Sequence, residues 1–411
     1  MLRAWLFLPS STRDARRLVA ARAVRGFADG FVSVLLASYL SAAGFSPLQI
    51  GAIVTSTLLG SAALTLLVGL AGNRFARRQI LLGASLLMLA TGIGFAGITA
   101  FWPLLVVAFA GTLNPSAGDV SVFLPTEQAL LPETVADRDR TALFARYNLA
   151  AAVTGALGAL ASGVPVLLAR RQGWDITAAQ RSGFLLYALV AVLAAGLYAS
   201  LSPALGGHRT GRAAAPLATS RRVVLHLAAL FSLDSLGGGF FVQSLLVLWL
   251  FRRFDLSVQT AGAVLFVGGL LAAFSQLVAS RLAARIGLIR TMVYTHFPSN
   301  VLTVLAALMP SAPLAILLWL LRMSLSQMDV PARQSYVMAV VPPEERAAAA
   351  SVTNVPRSLA AATTPLLAGA MLSATSFGWP LICGGIVKGI YDMLLLLHFR
   401  ALRPPEERTS S

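Results

Sequence analysis

The sequence predicts an all-α membrane protein with twelve transmembrane helices, arranged as two related bundles of six. Three observations predict it: an apolar composition, a series of apolar spans, and an internal repeat. Hydrophobic residues make up 57% of the 411 residues and charged residues 12%, with a mean hydropathy of +0.77. Because a soluble domain carries about 25% charged residues, this chain has too little polar surface to fold in water.

Twelve apolar spans follow one another, each long enough to cross a bilayer. Their ranges are 26–43, 48–70, 79–100, 103–124, 141–168, 183–201, 223–250, 259–279, 289–309, 313–334, 347–373 and 379–399. The predicted organisation is a basic N-terminal segment (1–21), a six-helix bundle (22–201), a linker (202–222), a second bundle (223–400) and a tail (401–411). The linker contains Pro and Gly and is the longest polar segment between spans.

Orientation follows from the positions of the basic residues. With the N-terminus inside, 22 of the 32 Lys and Arg residues fall in inner segments and 5 in outer loops. This asymmetry predicts that both termini are cytoplasmic, in a bacterial inner membrane. The net charge of +16 therefore indicates topology, and we expect no nucleic-acid partner. The arginines before the first span predict a basic helix on the inner surface; they are Arg13, Arg16, Arg17, Arg22 and Arg25.

The repeat is visible in two basic loops, one in each half. Residues 69–78 read Gly-Leu-Ala-Gly-Asn-Arg-Phe-Ala-Arg-Arg, and residues 280–290 have a similar pattern 211 positions later. Near the same offset, Arg146 matches Arg357 and Asp119 matches Asp329. Several matches at one offset indicate a duplicated carrier with its site between the halves.

The first loop resembles the signature G-x-x-x-D-R-x-G-R-R of the major facilitator superfamily. Gly69, Arg74, Arg77 and Arg78 match it, while Asn73 and Ala76 depart from it. The second copy keeps Arg285 and Gly287, with Ala284 at the acidic position. The resemblance covers about residues 22–400. It implies two six-helix bundles that rock around a central cavity without using ATP. It also implies an inner gate in which loop arginines engage neighbouring helix ends.

Span ten carries the clearest polar pattern. Arg322, Ser326, Asp329, Arg333 and Tyr336 would form one stripe on a continuous helix, and Pro331 predicts a bend there. Arg322 would line the substrate cavity and pair with an anionic substrate or a carboxylate. In the first half, Thr112, Asn114 and Ser116 are the corresponding substrate-cavity candidates. The alternative for Arg322 is a structural role.

Two aspartates are the candidates for proton coupling. Asp234 precedes three glycines near mid-span and is the first choice, and Asp29, between Gly26 and Gly30, is the second. Glycines beside a charge allow close backbone approach or local unwinding. A carboxylate in a cavity of low polarity holds its proton more firmly, so it can exchange protons near neutral pH. The alternative is that Asp234 only pairs with Arg322 or another buried base.

Other buried charges are predicted to form pairs near the cytoplasmic face. The expected pairs are Asp119 with Arg146 and Asp329 with Arg357, and both could simply hold helices together. Glu127 is expected to meet the loop arginines, and Lys388 and Asp392, four residues apart, are expected to satisfy each other. The predicted cytoplasmic gate comprises Gly69, Asn73, Arg74, Arg77, Arg78, Arg285, Gly287, Asp119, Glu127, Arg146, Asp329, Arg333 and Arg357.

Enzymatic signatures are weak. Residues 92–97 match G-x-G-x-x-G but lie within an apolar span with no preceding strand. The histidines are far apart and were assigned to the linker or span ends, so we expect no metal, no cofactor and no enzyme.

The sequence favours a monomeric secondary transporter in the lipid bilayer that exports a small organic compound by proton coupling. Gly155, Gly158, Gly163 and Pro165 loosely resemble the fifth helix of drug/proton antiporters and support export. The alternatives are proton-coupled uptake of an organic anion or metabolite, with Arg322 as its ligand, and a non-transporting membrane sensor on a carrier fold.

Overall fold

The computed structural model describes residues 11–71, 75–116, 121–136, 139–203, 205, 217, 219–342 and 345–399. Within them the chain forms α-helices and one short 3-10 helix, with no β-strand. The predicted all-α fold class is confirmed. The chain divides into two compact units, residues 1–210 with 256–266 and residues 211–255 with 267–411.

The first unit contains eight α-helices among its described residues and the beginning of a ninth. They are α1 (Arg13–Ala42), α2 (Pro47–Ala71), α3 (Arg77–Gly97), α4 (Phe101–Ala110), α5 (Phe123–Leu130), α6 (Arg140–Ala161), α7 (Val164–Gln172) and α8 (Ile176–Ala199), with a 3-10 helix at Leu131–Thr134 after α5. The ninth, α11 (Val258–Ile286), begins in the first unit and continues in the second.

The second unit is built from the remaining helices. They are α9 (Arg221–Gly239), α10 (Gln243–Phe254), α12 (Leu288–Leu308), α13 (Ala312–Met323), α14 (Asp329–Val340), α15 (Arg346–Ala374) and α16 (Trp379–Phe399). Apolar side chains of α9, α12, α14 and α16, among them Phe231, Met292, Tyr336 and Leu395, form a buried core.

Helix α1 starts at Arg13, so the predicted surface helix and the first span form one continuous helix. The expectation that all five arginines lie on the inner surface is wrong, because Arg22 and Arg25 are buried. Thr12 caps the helix by accepting a hydrogen bond from the backbone N–H of Ala15 at 3.2 Å.

Glycine lets α1 and α6 pack backbone against backbone. A Cβ on Gly30 would lie 1.9 Å from the carbonyl oxygen of Gly155, which no side chain could tolerate. The glycines around Asp29 therefore allow close backbone approach, and α1 remains helical through them.

Four of the twelve predicted spans are divided into two helices each. Span four becomes α4 and α5, span five α6 and α7, span seven α9 and α10, and span ten α13 and α14. Three divisions lie at residues that weaken a helix: Gly111 with Pro115, Gly163 with Pro165, and the glycines that end α9. The division of span ten, at residues 324–328, contains neither glycine nor proline. The other eight spans each correspond to one helix.

Span ten differs most from its prediction. The helix is interrupted at residues 324–328, and α14 begins at Asp329. Pro331 then lies in the first turn of α14, where its missing N–H breaks no helical hydrogen bond. The predicted bend at Pro331 and the continuous stripe are therefore wrong, although Arg322, Ser326, Asp329, Arg333 and Tyr336 are all buried.

The helices are suited to a membrane. Among the described residues, eight helical stretches are long and apolar enough to cross a bilayer, and α4 and α13 are shorter apolar helices. Many large apolar side chains are exposed, including Leu86, Trp102 and Leu397. Exposed apolar surface of this extent fits contact with lipid.

Candidate functional site

Six buried ionisable side chains of the second unit form what we call the second-half cluster. Its members are Asp234 on α9, His296 on α12, Asp329 and Arg333 on α14, and Lys388 and Asp392 on α16. Asp234 lies 2.5 Å from Lys388 Nζ and 3.3 Å from Arg333 Nη1. Arg333 Nη1 also lies 3.4 Å from Asp329 Oδ2. Asp234 therefore joins three helices through two cations.

His296 lies between two carboxylates. Its Nδ1 is 2.8 Å from Asp392 Oδ1, and its Nε2 is 3.7 Å from Asp234 Oδ1. Asn300, one turn further along α12, donates from Nδ2 to Asp392 Oδ2 at 2.9 Å. Since two carboxylates flank the ring, this position favours the positive charge of a protonated imidazole.

The cluster carries more acids than permanent cations. Three aspartates face Arg333 and Lys388, which leaves one negative charge when His296 is neutral. A proton on the His296–Asp392 pair would balance the charges. Burying an uncompensated charge is costly. The free energy of burying the cluster therefore depends on whether the His296–Asp392 pair carries a proton.

Close packing places Lys388 against Asp234. A Cβ on Gly237 would lie 2.6 Å from Lys388 Cγ and 2.9 Å from the carbonyl oxygen of Gly384. Only a glycine gives α16 this access to α9. The glycines after Asp234 thus have the packing role that their position suggests.

Three sequence-based expectations about these residues are wrong. Lys388 contacts Asp234 and Asp392 contacts His296, so the two do not satisfy each other. Asp329 pairs with Arg333, while Arg357 donates from Nε to Ser235 Oγ at 3.2 Å. His296 lies within the bundle, away from the span end to which it was assigned.

Arg322 occupies a different environment at the end of α13. Its Nε donates to Thr303 Oγ1 at 3.0 Å, and its guanidinium carbon lies 4.4 Å from the ring centre of Trp319 and 5.2 Å from that of Phe241. Among the described residues, no carboxylate lies within 4.0 Å of Arg322. Ser326, in the interruption after α13, is also buried, with its Oγ 3.9 Å from Met323 Sδ.

Four side chains of the first unit form the first-half cluster: Arg25, Glu127, Tyr147 and Tyr198. Glu127 is fully buried and accepts hydrogen bonds from the two tyrosine hydroxyls at 2.5 Å and from Arg25 Nη2. Arg25 also donates from Nε to Tyr198 Oη at 2.9 Å and lies over the ring of Phe123. The expectation that Glu127 meets the loop arginines is therefore wrong.

Asp29 lies next to the first-half cluster on α1. It lies near the side chain of Asn114 and within electrostatic range of Arg25 and Arg22. The Oδ1 atom of Asn114 accepts from Ser116 N at 3.2 Å and from Ser116 Oγ at 2.8 Å. Asn114 and Ser116 therefore shape the interruption between α4 and α5.

Thr112 is held by its backbone in the same interruption. Its N–H donates to Thr91 Oγ1 at 3.3 Å, and its carbonyl accepts from Tyr187 Oη at 3.1 Å. Its hydroxyl is buried without a hydrogen-bond partner within the described part of the chain.

The sequence matches a known protein family. The family model described as Major Facilitator Superfamily matches residues 18–327. The chain belongs to this superfamily.

Major facilitator transporters of known structure share the whole fold. A bacterial homolog of the human lysosomal transporter Spinster has a TM-score of 0.72 at 14% identity, over 94% of this chain and 96% of that one. A D-xylose–proton symporter has a TM-score of 0.71 at 15% identity, over 92% and 97%. The nucleoside transporter NupG has a TM-score of 0.69 at 13% identity, over 95% and 100%. At these identities the likeness establishes the fold alone.

A relative by sequence is the uncharacterized membrane protein YJR124C of Saccharomyces cerevisiae. It is 26% identical over 423 residues, covering 95% of this chain and 94% of its own length. The chain is thus a multi-pass membrane protein of a transporter superfamily.

Part of the major facilitator signature loop can be located. Arg78 donates to the carbonyl oxygens of Tyr198 and Ala199 at the end of α8. Arg77 donates to the carbonyl of Ala129 at 3.1 Å and pairs with Glu133 at 2.7 Å. Both arginines therefore hold neighbouring helix ends of the same unit.

The other gate candidates are more scattered. Gly69 lies in the last turn of α2, Arg285 is exposed near the end of α11, and Gly287 joins α11 to α12. Gly287 has a φ of 88° and a ψ of 161°, a conformation essentially confined to glycine. Arg146 has a buried Nη1 without a hydrogen-bond partner among the described residues. Three candidates lie outside the described residues: Asn73, Arg74 and Asp119.

Sequence reasoning missed several members of this major facilitator site, above all His296, Asn300, Thr303 and Trp319. A signal was present in α12, where buried polar residues recur at helical spacing. They are Thr291, Thr295, His296, Ser299, Asn300 and Thr303. Tyr147 and Tyr198 gave no comparable signal, because an isolated tyrosine in an apolar span is common.

Proposed function

We propose that this major facilitator protein is a secondary active transporter that couples the movement of a small organic compound to protons. The observation that carries the proposal is the charge balance of the second-half cluster. Three buried aspartates face two permanently charged cations, and His296 offers the place for one proton.

A proton on the His296–Asp392 pair has conformational consequences. It neutralises the net charge of a cluster whose side chains come from α9, α12, α14 and α16. Burying an uncompensated charge is costly. The unprotonated, charged cluster therefore favours conformations that expose it to water, and the protonated, neutral cluster favours conformations that close over it. Differential stability of this kind couples proton binding to alternating access.

Asp234 has a different role in this scheme from the proton carrier that its sequence position suggests. Lys388 and Arg333 both contact its carboxylate, so a proton would have to displace two cations. We assign Asp234 to holding Lys388 and facing His296, and the proton itself to the His296–Asp392 pair. Asp29, which lies near Asn114 and two arginines, is assigned a structural role.

Direction and location complete the proposal. The resemblance to drug/proton antiporters favours export by a monomer in the inner membrane of a bacterium, with both termini cytoplasmic. Arg322 favours a second candidate, the uptake of an organic anion, because it is a buried cation in the same unit and no carboxylate in the described part of the chain pairs with it.

The test starts with purified protein and a thermal-shift screen of small organic acids, amines and neutral compounds. Each stabilising compound is then applied to proteoliposomes containing a pH-sensitive dye, with the pH gradient imposed in either direction. We expect wild type to move protons with the compound, and His296→Gln to exchange the compound without moving protons. His398→Gln is the matched control, because His398 is exposed at the end of α16.

Two results would contradict the proposal. If His296→Gln moved as many protons per transported molecule as wild type, the pair would not be the coupling site. If stabilising compounds bound but none crossed the membrane, the non-transporting sensor would replace the transporter.

A further inference from the structure

Arg322 is a buried guanidinium that no described carboxylate contacts directly. The side chain is 7% exposed, and its hydrogen bonds go to Thr303 Oγ1 and to the sulfur of Met323. Neither partner carries a negative charge. By contrast, Arg25 and Arg333 each contact a carboxylate. Arg322 therefore has room for an anionic partner in direct contact.

Polar groups near Arg322 in the fold also lack partners. The indole Nε1–H of Trp319, one turn earlier on α13, is buried with no acceptor among the residues that the structure describes, and Trp319 is 6% exposed. Within the same described ranges, Ser299 Oγ, one turn before Thr303 on α12, is also buried without a partner. An unmade hydrogen bond of a buried group costs about 1–3 kcal/mol. Arg322 could pair with an anion, and the indole N–H of Trp319 needs an acceptor; a carboxylate has the chemistry to serve both.

The surroundings define the chemistry of that acceptor. The rings of Trp319 and Phe241 lie close to the guanidinium and shield it from water, which strengthens its attraction for an anion. A guanidinium matches the two oxygens of a carboxylate in a parallel pair of hydrogen bonds. The aromatic rings offer an apolar surface to the remainder of the molecule.

We propose that Arg322 and Trp319 bind the carboxylate of a monovalent organic anion, and that its binding draws one proton onto the His296–Asp392 pair. This inference rests on the proposed function, since it uses the same proton site. It assigns the substrate class and predicts that anion and proton occupy the same state of the protein. They would then travel in the same direction without net charge transfer, which corresponds to the second candidate above, the uptake of an organic anion, and differs from antiport.

The stoichiometry follows from the charges. Arg322 is too far for a salt bridge with the second-half cluster but interacts electrostatically with Asp234 and Asp329. Without a proton the second-half cluster carries one negative charge, and in the empty state the charge of Arg322 offsets it at a distance. An anion bound to Arg322 neutralises that arginine, and one proton then neutralises the cluster.

All charged and titratable groups that face His296 enter this count. Asp234 faces the ring from α9, Asp329 from α14, and Lys388, Tyr391 and Asp392 from α16. Arg333 and Arg322 act on it through their interactions with Asp234 and Asp329. Because Arg333, Lys388 and the three aspartates already contact one another or His296, the added charge is compensated most readily at the histidine.

The first experiment uses benzoate as the anionic probe and benzamide as its uncharged control. Calorimetry of the purified full chain, in two buffers of different ionisation enthalpy, gives both affinity and the number of protons taken up. We expect benzoate to bind wild type with uptake of about one proton, and benzamide to bind at least about tenfold more weakly, which is about 1.4 kcal/mol.

Variants separate the anion site from the proton site. Arg322→Gln should weaken benzoate binding at least about tenfold, and Arg322→Lys, which keeps the charge, should weaken it less. Arg290→Gln, at an exposed position of α12, should bind as wild type does. His296→Gln should retain benzoate binding but lose the linked proton. If only the Arg322 result fails, the substrate class is wrong; if only the His296 result fails, the coupling proposal is wrong.

A second probe is independent of the organic part of the ligand. Iodide quenches indole fluorescence. If iodide binds to the positive charge of Arg322, it will quench the adjacent Trp319, whatever the organic part of the natural ligand. We expect a saturable quenching component in wild type that Trp319→Phe and Arg322→Gln both remove. Absence of that component, or benzoate and benzamide binding alike, would overturn the anion site.

Discussion

The buried polar clusters of the two halves differ in how completely their charges are matched. In the first half, Glu127 accepts from Arg25, Tyr147 and Tyr198, and one acid faces one base. In the second half, three aspartates face two permanent cations and a histidine. The first cluster therefore suits a fixed connection between helices, and the second suits a site that changes charge.

The difference arises although the sequence repeats part of its pattern in the two halves. Positions that match at the repeat offset carry different chemistry: the second half has Ile289 where the first has Arg78. Interruptions occur in corresponding spans, between α4 and α5 and between α13 and α14, and such pairs are common at transport sites in this kind of fold. The three aspartates, two cations and histidine of the second-half cluster have no counterpart of equal charge in the first-half cluster.

The largest effect is expected from removing one partner in the first-half cluster. Arg25→Met leaves Glu127 buried without its cation, which should lower the free energy of unfolding by about 3–5 kcal/mol. Lys388→Met should cost less, because Asp234 keeps Arg333 at 3.3 Å and His296 can accept a proton. Thermal and denaturant unfolding of the purified variants measures both losses.

The double variant Arg25→Met with Glu127→Met is the control for that comparison. Removing both charges should recover much of the lost stability, since no buried charge remains unpaired. An equal or larger loss in Lys388→Met would reverse the roles that we assign to the two clusters.

A smaller effect is expected from the glycines beneath the clusters. Gly30→Ala places a Cβ 1.9 Å from a backbone oxygen, so α1 and α6 must separate, at a cost of about 1–3 kcal/mol or more.

Gly237→Ala meets the Lys388 side chain, which can shift, so the variant should lose less stability than Gly30→Ala but should reduce proton coupling. Gly83→Ala, with no atom within 4 Å, should be neutral or slightly stabilising. Unfolding experiments with vesicle assays check all three, and a stable, fully coupled Gly30→Ala would contradict the close packing.

The smallest effect is expected from Arg78, which holds the end of α8 beside Tyr198 of the first-half cluster. Arg78→Ala removes a cation from the helix C-terminus and should cost about 1 kcal/mol or less. Arg290→Ala, exposed in the other half, should change the unfolding free energy by less than about 0.5 kcal/mol. If the two variants melted alike, the contact of Arg78 with α8 would contribute no stability.

Sequence alone predicted the elements of this fold better than the contacts between them. Apolar length located the helical stretches, because crossing a bilayer imposes a minimum run of apolar residues. Among the described residues, eight stretches are long and apolar enough to cross one, which is consistent with twelve spans but does not give that count. Apolar length did not divide span ten, since a five-residue interruption barely changes hydropathy. Lys388 and Asp392 illustrate the limit at the site: spacing places them on one helix face, but their partners, Asp234 and His296, come from α9 and α12.

The interruption between Met323 and Asp329 has a mechanical consequence. A continuous helix would fix the distance between Arg322 and Arg333, because the rise per residue of an α-helix is constant. Here the two cations belong to separate rigid segments, α13 and α14, joined by five residues with their own torsional freedom. The distance between Arg322 and the second-half cluster can therefore change when the torsion angles of residues 324–328 change. Such a change alters the strength of the electrostatic interaction between Arg322 and the cluster.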